Sequence, residues 1–133
     1  MASSCSQVWA HFPKQDIHTL EMSWIAHTDG SFTSVETSEN IDGWVLEAIT
    51  DPGATQPQAS YDITLSDAYG DVMGSAMLNR SATVTERVKA LSGTTPITPF
   101  VAGKLTLAIT ANNVNGATGK VIIIVDRGGR YGL

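Results

Sequence analysis

Tyr61-Asp62-Ile63-Thr64-Leu65-Ser66-Asp67-Ala68-Tyr69-Gly70-Asp71-Val72-Met73-Gly74-Ser75-Ala76-Met77-Leu78 alternates apolar and polar residues around a turn-forming cluster at Asp67–Asp71. Lys104–Val125 repeats the pattern around Asn112-Asn113-Val114-Asn115-Gly116-Ala117-Thr118-Gly119. Alternation with a period of two, broken by Asp, Asn and Gly, is the signature of half-buried antiparallel strands joined as hairpins. These two stretches fix the class as all-β, and neither carries a reactive constellation.

Working outward, Asp16–Ala26 is a further alternating strand, with Leu20, Met22 and Trp24 on one side. Thr28-Asp29-Gly30 reads as a hairpin turn returning through Ser31–Thr37. Asn40–Thr50 is a strand around Trp44–Thr50, and Asp51–Gln58, with two prolines, is a loop. Val84 and Val88 share a side in a strand or in a helix, and the Thr-rich composition and all-β setting favour a strand or extended segment over a helix for 81–91. Lys120–Val125 is apolar on both faces, as a strand in mid-sheet is. The expected architecture is an antiparallel β-sandwich or jelly-roll-like domain of about seven or eight strands, a small barrel being the alternative. Residues 1–14 read as an irregular N-terminal arm, 15–125 as the body and 126–133 as a flexible Gly-rich tail of one domain.

A chain of 133 residues suffices for one domain with its own core. The net charge of −5, with only eight Lys and Arg, argues against nucleic acid as a partner. A single cysteine, Cys5, excludes an internal disulfide framework. No basic–apolar leader and no apolar run near the roughly 20 residues of a membrane span is visible, so cytoplasmic synthesis without membrane association is expected.

Candidates for chemistry are sparse. His11, His18 and His27 lack the close pairing of common zinc motifs, and His18 and His27 stand at opposite ends of one strand. Asp62, Asp67 and Asp71 cluster at one hairpin without calcium-loop spacing, and read as solubilising turn residues. Gly74-Ser75-Ala76 lacks the second glycine of a nucleophile elbow, and Arg127-Gly128-Gly129-Arg130 opens no helix. No enzyme, cofactor or metal is therefore expected. Trp24 and Trp44 read as core, whereas Trp9 in the arm needs a partner surface. Carbohydrate stacking on Trp9 or Tyr69 is the rival reading for the aromatics.

Tyr61–Asp67, Gly70–Gly74, Leu78–Ser81, Pro99–Ile109 and Gly119–Val125 together resemble small structural proteins of tailed bacteriophages and prophages. The resemblance spans about residues 61–125 and implies a β-rich virion protein made in the host cytoplasm. Within that class it implies a head decoration or cement protein, a homotrimer bound to the major capsid protein or another virion protein. A tail, connector or fibre-base component is the alternative, and a carbohydrate-binding β-sandwich a more distant one. The segments expected to reach a partner are the arm, through Val8, Trp9 and Phe12, and the tail, through Arg127, Arg130 and Tyr131.

Overall fold

The structure is a computed structural model and describes residues 2–128. In chain order the strands are β1 (Ser4–Phe12), β2 (Ile17–Ile25), β3 (Val35–Glu36), β4 (Gly43–Pro52), β5 (Asp62–Asp67) and β6 (Gly70–Asp71). After a single 3₁₀ turn (Gly74–Met77) come β7 (Glu86–Val88), β8 (Leu91–Ser92), β9 (Thr95–Pro96), β10 (Phe100–Val101), β11 (Thr106–Thr110) and β12 (Thr118–Asp126). The larger sheet runs β1-β2-β12-β4-β10, with β7 also paired to β4; the smaller runs β3-β11-β5-β6, and β8-β9 form a separate ribbon. All pairings are antiparallel. No helix among the described residues is long and apolar enough to cross a membrane.

The all-β, antiparallel, sandwich-like class is the expected one. The core lies between the inner faces of the two sheets. Leu20, Met22 and Trp24 of β2 and Val121, Ile123 and Val125 of β12 meet Ile63 and Leu65 of β5 and Leu107 and Ile109 of β11. Each set occupies alternate positions, so one face of each of these four strands is buried. Trp24 joins the layers, its ring centroid 5.8 Å from that of Tyr61 and 6.1 Å from that of Phe32.

Four details differ from the sequence reading. There are twelve strands among the described residues, because five of them are only two residues long, too short to leave a periodic trace. Residues 4–12 are no arm: they form β1, zipped along its whole length onto β2 from Ser4↔Ile25 to Phe12↔Ile17. Its inward positions are Cys5, Gln7, Trp9 and His11, too polar to read as a core face; Gln7 instead donates through Nε2 to the Glu36 carbonyl and accepts at Oε1 from the Ser38 amide. Ser31–Thr37 does not return beside β2, since β1 and β12 already occupy both its edges, and the chain crosses to the smaller sheet as β3. Likewise β11 and β12 belong to different sheets. The seven residues between them, 111–117, are enough to cross the roughly 10 Å between layers, and Asn112 Nδ2 donates to the Gly30 carbonyl at 2.8 Å to brace the connection. For 81–91 the outcome is a short strand, β7, after a loop held by the Ser81 hydroxyl.

Tyr61 is fully buried, and its hydroxyl has no hydrogen-bond partner among the described residues. Burial pushes the phenol up to about 12. Tyr61→Phe removes a desolvated group, and is expected to leave stability unchanged or raise it by about 1 kcal/mol at pH 8. Because the folded pKa lies above the unfolded value near 10, the neutral phenol's contribution is complete below about pH 10 and lost as pH rises towards 12. Urea titrations at pH 8 and pH 11 should therefore show the variant's advantage widening with pH.

Candidate interaction face

The outer face of the larger sheet is where the chain departs most from an ordinary soluble sandwich. Residues paired directly across neighbouring strands point to the same side. The register Phe12↔Ile17, Ile17↔Asp126, Asp126↔Trp44 and Trp44↔Phe100 thus lays five side chains in one row over β1, β2, β12, β4 and β10. Four strand spacings make this row about 19 Å long. Phe12, Trp44 and Phe100 are 52%, 48% and 51% exposed, and Val8, farther along β1, is 62% exposed. Trp44 and Phe100 meet edge to face with centroids 5.1 Å apart. Behind the row, Ile122 and Ile124 of β12 and Ile49 of β4 continue the apolar surface. Charge is interleaved with them: Glu21 is the cross-strand partner of Ile122, Glu47 of Ile124 and Arg87 of Ile49, with Lys120 Nζ 2.8 Å from Glu21 and Arg87 bonded to Glu47.

Trp44 was expected in the core. The β4–β12 register slips between Ile124 and Val125: Ile124 pairs with Glu47, but Val125 pairs with Val45. Leu46 is the extra residue of this bulge. Strict alternation inward from Thr50 and Ala48 would bury Leu46 and Trp44; the bulge instead buries Val45 and turns Trp44 out.

Val8 and Phe12 are thus exposed, on a strand and not on an irregular arm. Trp9 is half-buried, its inward face packed against the core and its ring covered by the Arg127 guanidinium 5.2 Å from the centroid. Arg127 also donates from Nε to the Ile41 carbonyl at 2.8 Å and from Nη2 to the Asn40 carbonyl at 2.7 Å. Its charge is engaged within the chain and clamps the end of β12 to the segment before β4. Arg130 and Tyr131 lie outside the described residues.

The hairpin carboxylates each cap a backbone amide: Asp62 Oδ1 accepts from Asn79, Asp67 Oδ1 from Tyr69 and Asp71 Oδ1 from Met73. That is the work of turn aspartates. An open depression of about 240 Å³ lies beside them, lined by Tyr69, Val72, Ile97, Pro99 and Phe100 among others. It is smaller than the roughly 300–1,000 Å³ typical of small-molecule sites. Among the described residues one set of three metal-ligating side chains converges, His11, Asp16 and His18 at the β1–β2 turn. Spacing alone missed it, since strand pairing, and no local motif, brings the two histidines together.

Comparison of the chain with protein-family models, with curated proteins and with solved structures finds no match.

Proposed function

We propose that this chain is a non-enzymatic structural protein of a bacteriophage virion, a head decoration protein that binds the capsid surface through the outer face of its larger sheet. The observation that carries the reading is the row in which Phe12 and Ile17 stand on one side of the buried Asp126 and Trp44 and Phe100 on the other. Aromatic groups half-exposed on a sheet face are costly in isolation and are the residues enriched where proteins meet. The resemblance of residues 61–125 to phage structural proteins supplies the kind of partner. In this reading each copy contributes a modest apolar contact, and assembly as a trimer around a symmetric capsid position makes the attachment durable through multivalency.

The test is the copy number of the chain relative to the major capsid protein in purified particles. A ratio near the lattice stoichiometry supports decoration. A few copies move the protein to the tail, connector or fibre base, and absence from particles overturns the virion reading. The half-exposed Trp44 favours one second reading, saccharide stacking. Saturable quenching of tryptophan fluorescence by an oligosaccharide, lost in Trp44→Ala, is the result that would establish it.

A further inference from the structure

We propose that His11, Asp16 and His18 form a binding site for a divalent transition-metal ion, zinc foremost. The site is assembled by register. His11 and His18 are direct cross-strand partners in the β1–β2 ladder, so both imidazoles leave the same face of the strand pair. They lie at its turn end, past the point where Leu20 and Trp9 meet the core. The rings stack with centroids 4.1 Å apart and planes 13° from parallel.

Asp16 closes the four-residue turn in the left-handed region, at φ 52°, which aspartate tolerates better than most residues. Its amide donates to the Pro13 carbonyl at 3.3 Å and its carbonyl accepts from the Arg127 amide at 3.1 Å. Held this way, its Oδ1 stands 3.0 Å from Nε2 of His11 and 3.0 Å from Nε2 of His18. One ligand atom from each residue lies within 4.8 Å of the other two.

Those separations bracket what an ion requires. Zinc bound at about 2.0–2.2 Å by nitrogen and carboxylate oxygen sets neighbouring ligand atoms about 3.4 Å apart in a tetrahedron. Small rotations of exposed or turn-borne side chains reach that arrangement. Two imidazoles and one carboxylate select zinc, nickel, cobalt or copper over calcium and magnesium, which take oxygen sets. The His11 side chain is 47% exposed, so water can complete the coordination. Binding also has an identifiable opponent. A metal on Nε2 of His18 leaves the proton on Nδ1, which lies 3.4 Å from Arg127 Nη1, so that contact must open as the ion enters. The guanidinium keeps its bonds to Asn40 and Ile41.

The experiment is zinc titration of the full chain after chelator treatment, followed by calorimetry and by thermal unfolding. One equivalent is expected to bind and to raise the unfolding temperature, because an ion bound only by the folded chain stabilises it. His11→Ala should weaken binding by more than tenfold, since losing an outer-shell partner alone costs roughly 10–100-fold. Asp16→Asn keeps the left-handed turn and removes the charge, so it tests the same point in a chain that folds. Cys5→Ser should leave zinc binding unchanged; burial pushes this thiol up, making it a poor thiolate at neutral pH. Absence of any zinc-dependent heat or shift in the native chain would overturn the proposal. So would undiminished binding in both His11→Ala and Asp16→Asn, or loss of binding in Cys5→Ser.

Discussion

Gly119→Ala is expected to destabilise the chain by about 1–3 kcal/mol and Trp24→Ala by about 3–5 kcal/mol, yet the double variant should cost clearly less than their sum. Gly119 and Trp24 are direct partners in the β2–β12 ladder. The fully buried indole lies flat over the glycine, so a Cβ there would stand 2.7 Å from Cζ2 and 2.9 Å from Nε1 of Trp24. No heavy atom pair of this kind packs so closely. The ring cannot retreat, because Phe32 and Tyr61 hold its other sides. Overpacking at the central strand is therefore felt by both sheets. With Trp24 shortened to alanine the space opens, and a methyl at 119 fills part of the cavity. Urea unfolding of the four chains gives the coupling energy as a double-mutant cycle. Additive losses within about 0.5 kcal/mol would show that the glycine is needed for some reason other than the indole.

This pair also marks where the sequence stops being legible. The strands themselves could be read, since β2, β5 and β11 each carry a period-two pattern of the residues that now form the core, and β12 a continuous apolar run. Mid-sheet placement of Lys120–Val125 was legible too, for Ile122 and Ile124 leave it no polar face. Partner choice was not. Turn chemistry at Asp29-Gly30 and Asn112–Gly119 says that the chain reverses, but not whether it rejoins the same sheet or crosses to the other. That is settled by which edges are already occupied, a property of the whole chain. The interaction face was hidden for a similar reason: the single bulged residue Leu46 reverses the facing of Trp44, and nothing in Gly43–Thr50 announces it. The His11–Asp16–His18 convergence depends on the β1–β2 register, which the polar inward face of β1 concealed.

The second large effect is on binding. On the proposed capsid-binding function, Trp44→Ser combined with Phe100→Ser is expected to lower particle affinity by more than about 100-fold, because buried aromatic anchors typically carry about 2 kcal/mol or more each and their losses are not fully additive. The same double variant should unfold within a few degrees of the native chain. Both side chains are about half exposed already, and what they lose within the fold is chiefly their own edge-to-face contact. That separation of binding from stability is the diagnostic feature, since a core tryptophan would lose both together. Val84→Ser supplies the comparison: Val84 is 58% exposed but precedes β7, beyond the end of β4 opposite Trp44, and should bind as the native chain does. Co-sedimentation of each variant with stripped particles reads the affinity, and thermal melts read the fold. If the double variant binds normally, the aromatic row is not the docking surface. If Val84→Ser is equally defective, attachment spreads over the exposed apolar surface without a defined centre, and the face loses its claim to specificity.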